Sequence, residues 1–250
     1  MVQATRVLPV GRMCSGACVG DWQCTVLLES RHHLKQTPSI DVRRLAERVA
    51  HACLMQGVSP HQGQAYGAPD DSVRVATLMP SGRPVATVSG RVAPVCVSVS
   101  HTRLMRAAVA CVEAFVGIDL VETCVPATTP LKGNTCRRDR NLDAWFTQGE
   151  LRLLADRTDL TPPMLWAAKE AAYKAARIDT EFRPRRLQIL YACGDRFRWR
   201  MCDRWANMSG EGVFFLAGDH VVAIATARMP HRAMFAPRRG SQSMQVAECF

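Results

Sequence analysis

Hydrophobic and polar positions alternate along the first half of the chain with periods that predict one helix and several strands. The stretch IDVRRLAERVAHACLMQG spaces its apolar residues at helical intervals and ends at Gly57, a common helix stop. Residues 72–78 alternate like a half-buried strand, and the Pro/Gly-rich residues 80–84 predict a turn. The runs VCVSVSH and RAAVACV, which end at Val112, then predict two further strands.

The second half of the chain repeats this order. Residues 142–155 and 164–177 have helical patterns, and the second of these follows Pro162-Pro163. The runs RRLQILYA and RFRWRM flank a Gly-Asp turn, and GVFFL and HVVAIATA form a hairpin pair. The chain is therefore predicted to be α+β, with two pseudo-duplicated lobes that each pair a small antiparallel sheet with a packed long helix.

The patterning also suggests the domain boundaries. Residues 1–39 form an N-terminal segment that is partly irregular, apart from a strand at WQCTVLL. Residues 40–114 are assigned to an N-terminal lobe and residues 115–228 to a C-terminal lobe, with an intramolecular groove between the two. Residues 229–250 are rich in Pro, Arg, Gly and Ser, a composition typical of a disordered tail.

The net positive charge of the chain limits the classes of partner that it is expected to bind. The formal net charge of +10 and pI near 9.4 favour an anionic partner: nucleic acid, a phosphorylated cofactor or an acidic protein. No nucleic-acid recognition motif accompanies this charge. The sequence has no apolar run long enough to span a membrane and no apolar region typical of a signal peptide, so we expect a cytoplasmic protein without membrane association.

The eleven cysteines do not predict a disulfide framework, because their number is odd and they are scattered through a long chain. Cys14, Cys18 and Cys24, with two histidines at 32–33, are an alternative zinc cluster, but their spacing fits no familiar zinc motif. Other cysteines, such as Cys53, lie in apolar contexts and are predicted to be small buried hydrophobic residues.

Two sets of polar residues are candidates for chemistry. Asp119 lies in the apolar strand FVGIDLV, where a carboxylate is costly to bury unless it is paired or bound to metal; capping or a strand-end position is the alternative. Trp166, Glu170 and Lys174 share one helix face. A solvated Glu-Lys pair, worth ~0.3–0.5 kcal/mol, is the simpler explanation, but the large ring of Trp166 indicates a partly buried face.

Taken in order, several short motifs resemble one enzyme family. They are GRP at 82–84, SVSHT at 98–102, VGIDL at 116–120 and WAAKEAAYK at 166–174, with WFTQGE at 145–150 ahead of the last. In this order the chain resembles the 4′-phosphopantetheinyl transferases over roughly residues 40–227. The length and apparent duplication are similar to those of the larger, surfactin-type monomers rather than the short trimeric synthases.

The resemblance implies a reaction and a set of residues that carry it. The protein would transfer the 4′-phosphopantetheine arm of coenzyme A to a serine of an acyl or peptidyl carrier protein, releasing adenosine 3′,5′-bisphosphate. Asp119 and Glu170 would hold Mg²⁺, and residues 115–228 would be the catalytic lobe. Glu170 would also accept the proton of the serine, directly or through a water, and Lys174 would stabilise charge on the phosphate.

The resemblance also implies contacts with the substrates. Arg83, Ser100, His101, Lys169 and Lys174 would bind coenzyme A, with His101 at the 3′-phosphate. The basic surface would attract the acidic helix that carrier proteins usually present. Which carrier protein is modified, and whether it serves fatty-acid, polyketide or nonribosomal peptide synthesis, stays open.

One departure from the family pattern leaves alternatives open. Larger members often have a second acid where this chain has Val121, and Glu122 would point to the opposite face of the strand from Asp119. A catalytically silent relative that binds coenzyme A or a carrier protein is therefore one alternative. A basic nucleic-acid-binding protein is another, and it predicts binding with a steep salt dependence and no competition by coenzyme A.

Overall fold

The computed structural model describes residues 6–7, 13–19, 22–30, 38–57, 73–78, 82–123, 142–177, 181–201 and 208–228. In these ranges the chain forms strands, α-helices and one 3₁₀ helix at Pro184–Arg186. The helices are α1 (Pro38–Gly57), α2 (Leu142–Trp145), α3 (Gln148–Asp156) and α4 (Pro162–Ala176). The strands are β1 (Arg6–Val7), β2 (Met13–Val19), β3 (Trp22–Ser30), β4 (Val73–Leu78), β5 (Arg83–Val88), β6 (Arg91–Val92), β7 (Cys96–His101), β8 (Met105–Cys111), β9 (Ala114–Glu122), β10 (Leu187–Cys193), β11 (Arg196–Met201), β12 (Ser209–Ala217) and β13 (His220–Arg228).

The strands are arranged in three sheets. Sheet A has the antiparallel order β10-β11-β12-β13-β9, and β1 pairs with β12 in parallel. Sheet B has the antiparallel order β2-β3-β8-β7, and sheet C has the antiparallel order β4-β5-β6. β9 and β7 are therefore edge strands of different sheets.

The sheets and helices stack in layers around three groups of buried side chains. Helix α4 covers one face of sheet A, where Trp199 and Phe214 are buried. The other face of sheet A packs against sheet B through residues such as Ile118 and Val109. The opposite face of sheet B packs against α1 and sheet C, around Leu45. Each long helix thus covers the outer face of one sheet, because alternate residues of a buried strand contribute to two different cores.

The α+β class and the antiparallel sheets are confirmed, and the helices at 40–57 and 164–177 lie where periodicity predicted them. The single helix predicted over 142–155 is wrong. Thr147 adopts an extended backbone and begins a new helix by exchanging capping hydrogen bonds with Glu150, so the chain forms α2 and α3 instead. The division into two duplicated lobes stays a prediction, and the expected tail at 229–250 lies outside the described residues.

Strand β2 was not predicted, because MCSGACV shows neither β-branched enrichment nor alternation. Its register with β3 shifts between Cys14 and Ala17, which accounts for the broken pattern. Six cysteines have described side chains; Cys24, Cys53, Cys96 and Cys111 are buried, as expected for small hydrophobic residues, whereas Cys18 and Cys193 are exposed. Within the described ranges, no three His, Cys, Asp or Glu side chains are grouped as a metal site would require.

Gly117 allows α4 to lie directly on β9. A Cβ atom at this position would be 2.0 Å from the carbonyl oxygen of Ala171, 2.6 Å from the amide nitrogen of Ala175 and 2.9 Å from Cβ of Lys174. Backbone atoms cannot move aside as a flexible side chain can, so only glycine permits this spacing. The close approach places the side chains of α4 within reach of β9.

The Gly117→Ala substitution is expected to destabilise the protein by about 1–3 kcal/mol or more, since the added methyl must push α4 away from β9. The free energy of unfolding, measured in urea, tests this. Gly149→Ala is the matched control: its Cβ would meet nothing closer than the Thr147 hydroxyl at 3.9 Å, on an exposed helical position. That control should be neutral or stabilising by up to about 1 kcal/mol. Equal stability of Gly117→Ala and wild type would contradict the close packing.

Candidate active site

Asp119 lies in the middle of β9 and is only 3% exposed. Its Oδ1 atom accepts hydrogen bonds from Ser100 Oγ at 2.9 Å and from Lys174 Nζ at 2.7 Å. These partners offset the cost of burying a carboxylate. The alternative that Asp119 caps a segment or ends a strand is therefore wrong, because it is a paired acid inside a buried strand.

Helix α4 packs on β9, and Trp166, Glu170 and Lys174 on one face of this helix are each half-buried, as the aromatic residue predicted. Lys174 Nζ donates to the Ile118 carbonyl oxygen at 2.9 Å as well as to Asp119. The lysine is thus held on the backbone and on a carboxylate of the same strand. The structure brings together Asp119, Glu170 and Lys174, three of the predicted site residues.

Glu170 has an unusual proton affinity. Burial raises the pKa of Glu170 to about 7, and the charge of Asp119 and a hydrogen bond between the two carboxyl groups act in the same direction. The charge of Lys174 and a hydrogen bond with Trp166 partly oppose this rise in pKa. Glu170 can therefore gain or lose a proton near neutral pH, a property suited to proton transfer.

The donor set at this position fits a hard divalent cation. Mg²⁺ takes oxygen ligands and commonly uses one or two protein carboxylates, with phosphate oxygens and waters filling the other positions. Asp119 and Glu170 supply two carboxyl groups in mutual contact. A cation between them would offset the repulsion that, after burial, contributes to the raised pKa of Glu170.

Lys169 is adjacent to Glu170 in sequence but lies in a different environment. Its ammonium has no exposed surface and donates to both carboxylate oxygens of Glu150, at 2.7 and 2.6 Å. The ammonium also lies 5.4 Å from the ring centroid of Phe146. Burial lowers the pKa of Lys169, against the effect of Glu150. The expected contact of Lys169 with a phosphate does not fit this placement, because the charge is enclosed and already paired.

Glu150 is the centre of this second polar group. Besides Lys169, it accepts hydrogen bonds from the amide and hydroxyl of Thr147 at 2.7 and 2.9 Å and from the amide of Ile189 at 2.8 Å. One buried carboxylate therefore joins α3, α4 and β10. Its role here is structural.

The remaining predicted coenzyme contacts lie on strands of sheets B and C. Ser100 is buried at the end of β7 and contacts Asp119. His101 follows it and is exposed, on the opposite face of the strand. Arg83 is half-buried at the start of β5, a strand that contacts β7. Binding of coenzyme A by Arg83 and His101 stays a prediction.

The orientation expected for Glu122 is confirmed. It is exposed on the face of β9 opposite Asp119, and its Oε1 lies 3.8 Å from Nε2 of the buried His220. Val121 lies on the same face as Asp119 and packs against the core beneath α4. The carboxylate of Glu122 therefore cannot replace the acid that larger family members often have at position 121.

Two further residues contribute to the site although the sequence analysis gave them no role. Gly117 sets the distance between α4 and β9, and Ser98 supports the backbone of β9 through a hydrogen bond to the amide of Ile118 at 3.1 Å. The sequence signal for Ser98 was the alternation of small polar residues in the run CVSVS. It could not show which strand those side chains face.

Comparison with known proteins identifies the part of the chain that contains this group. Residues 115–225 match the family model of the 4′-phosphopantetheinyl transferase superfamily, and a comparison with curated proteins gave no match. The matched range runs from β9 into β13 and includes Asp119, Glu170 and Lys174. No helix in the described ranges is long and apolar enough to cross a membrane. Residues 115–225 of this chain are therefore a domain of the 4′-phosphopantetheinyl transferase superfamily.

Proposed function

We propose that this protein transfers the 4′-phosphopantetheine arm of coenzyme A to a serine hydroxyl of an acyl or peptidyl carrier protein. Adenosine 3′,5′-bisphosphate is the second product. The superfamily match supports phosphopantetheinyl transfer in general. The observation that carries the finer proposal is the partly buried group of Asp119, Glu170 and Lys174 where α4 packs on β9.

The reaction breaks one bond in the coenzyme and forms one to the carrier. The serine oxygen bonds to the phosphorus that carries the pantetheine arm, and the bond from that phosphorus to the bridging oxygen breaks. The electron pair of the broken bond goes to the leaving adenosine bisphosphate. The serine must also lose its proton. The carboxyl group of Glu170, beside Asp119, can accept this proton, directly or through a water.

Negative charge develops on the leaving phosphate, and positively charged groups at the site would stabilise it. Lys174 is about a third exposed and holds its ammonium beside Asp119, where it can stabilise a phosphate oxygen. Asp119 and Glu170 are the residues that would hold Mg²⁺. When bound, the ion supplies charge neutralisation at the phosphates and orients them.

The two ends of the coenzyme site are proposed to come from different sheets. Arg83 and His101 lie on the side of sheets B and C and are the residues we expect at the coenzyme phosphates. Lys169 is not included, because its ammonium is enclosed with Glu150. The similarity to the larger, surfactin-type enzymes supports a monomer in which residues 40–114 and 115–228 form two lobes.

Intact-protein mass spectrometry of a panel of apo carrier proteins, incubated with this protein, coenzyme A and Mg²⁺, tests the proposal. A gain of one phosphopantetheine on the carrier serine, lost with chelator, is the expected result. Coenzyme A binding without a mass gain on any carrier would contradict it and favour a catalytically silent relative. Salt-sensitive binding of nucleic acid without competition by coenzyme A would favour the nucleic-acid-binding alternative.

A further inference from the structure

The edge strands β7 and β9 are joined by side chains rather than by main-chain pairing. The amides of Val116, Ile118 and Leu120 donate to Cys96 Sγ at 3.4 Å, to Ser98 Oγ at 3.1 Å and to Ser100 Oγ at 3.2 Å. All three acceptors are buried. We call Cys96, Ser98 and Ser100 the side-chain seam.

The seam provides hydrogen-bond acceptors for buried backbone amides of β9. β9 ends sheet A, so its outward amides have no neighbouring strand, yet they lie in the core between sheets A and B. A buried amide without a partner is costly. Alternate residues of β7 point to the same side, so small polar atoms at every second position can satisfy successive outward amides of β9.

Ser100 makes one side-chain hydrogen bond that has no counterpart at Ser98. Each hydroxyl accepts one amide hydrogen of β9, but Ser100 also donates to Asp119 Oδ1 at 2.9 Å. A serine hydroxyl has a single hydrogen to give. The Ser100 hydroxyl donates this hydrogen to Oδ1 of Asp119, the same oxygen that accepts a hydrogen bond from Lys174 Nζ.

We propose that Ser100 is a positioning residue that fixes the carboxylate of Asp119 for the cation. The hydroxyl anchors the backbone at Leu120 and the side chain at Asp119 together, so the carboxylate cannot rotate independently of the strand. This inference rests on the proposed function, because it concerns the orientation of a proposed Mg²⁺ ligand. It adds a role for Ser100, which the family resemblance placed at the coenzyme.

Replacing Ser100 and Ser98 separately isolates the bond to Asp119. Ser100→Ala removes the acceptor for Leu120 and the donor to Asp119, whereas Ser98→Ala removes only the acceptor for Ile118. Both variants leave one buried amide without its partner, so their urea midpoints should fall by similar amounts. Only Ser100→Ala should weaken cation binding. Loss of a group that orients a metal ligand typically costs about 10- to 100-fold in affinity.

A third variant is designed to weaken the bond to Asp119 without disrupting the fold. Ser100→Cys should keep the amide of Leu120 satisfied, since Cys96 Sγ accepts the amide of Val116 in the same seam. A thiol is a weak donor, so the bond to Asp119 is weakened while the seam is kept. Amide hydrogen exchange at Leu120 and Ile118 reports directly whether each seam bond persists.

The test is a titration of each variant with Mn²⁺ in the presence of coenzyme A, followed by the spectroscopic signal of free Mn²⁺. We expect the dissociation constant to rise about tenfold or more for Ser100→Ala and Ser100→Cys, and less than about twofold for Ser98→Ala. Equal affinities for Ser100→Ala and Ser98→Ala, or wild-type affinity in Ser100→Cys, would overturn the inference alone. Failure of the wild type to bind Mn²⁺ would overturn the proposed function and this inference with it.

Discussion

Glu170→Gln is expected to keep the fold and to reduce phosphopantetheinyl transfer by at least about 100-fold, the lower range for loss of a general base. The amide preserves the volume of the side chain, but it cannot accept the serine proton or act as an anionic ligand. Mass gain of the carrier protein over time, at saturating coenzyme A and Mg²⁺, gives the rate.

Glu122→Gln is the matched control for this variant. Glu122 is an exposed carboxylate on β9, close to Asp119 in sequence but on the opposite face of the strand. Its replacement should change the rate less than about twofold, since a single exposed charge acts only weakly through solvent. A Glu170→Gln variant with more than half of the wild-type rate would show that Glu170 is not the base.

Lys169→Met is expected to lower the free energy of unfolding by about 3–5 kcal/mol, the range for a buried ion pair that loses one partner. Methionine fills most of the volume, so the effect comes from Glu150. The variant leaves that carboxylate enclosed, with hydrogen bonds from Thr147 and Ile189 but without its counter-ion. Urea denaturation monitored by circular dichroism measures the change.

Two comparisons show whether the enclosed charge causes the loss. The double variant Lys169→Met/Glu150→Gln should recover part of the stability, because no uncompensated charge remains. Arg198→Met breaks an exposed ion pair with Glu211, at 3.1 Å, and should cost less than about 1 kcal/mol. A Lys169→Met variant as stable as Arg198→Met would contradict a structural role for the pair.

Much of the architecture followed from periodicity, because local patterning and burial agree in this chain. The helical spacing before Gly57 and the Ala-rich stretch after Pro162-Pro163 correspond to α1 and α4. The boundary between α2 and α3 could not be predicted from periodicity. It depends on reciprocal hydrogen bonds between Thr147 and Glu150, which compete locally with a continuous helix.

The sequence predicted that the candidate site residues Asp119, Glu170 and Lys174 come together, but not all of their contacts. Helical spacing placed Glu170 and Lys174 on one face, and the apolar context of Asp119 indicated that its carboxylate needed a partner. The surroundings of Lys169 could not be predicted, because a sequence gives the direction of a helical side chain only relative to its own helix. The position of Glu150, from another helix, decides that Lys169 is enclosed.

The contacts of Ser100 depend on how two sheets are docked. Its place at a strand end was visible in the sequence, but Asp119 belongs to the other sheet. The alternation of Cys96, Ser98 and Ser100 fits a polar solvent-facing strand equally well. Only the packing of β7 against β9 shows that these side chains serve buried amides.

Because the side-chain seam forms only when the two sheets dock, the order of folding affects whether the chain can aggregate. A molecule in which sheet A has formed before sheet B docks presents the outward amides of β9 as an open edge. Such an edge can pair with a strand of another molecule, the usual first step of aggregation. In the native protein the three small side chains of β7 cap this edge. Once sheet B has docked, the contact that we propose to orient Asp119 therefore also removes an open strand edge from the surface of the protein.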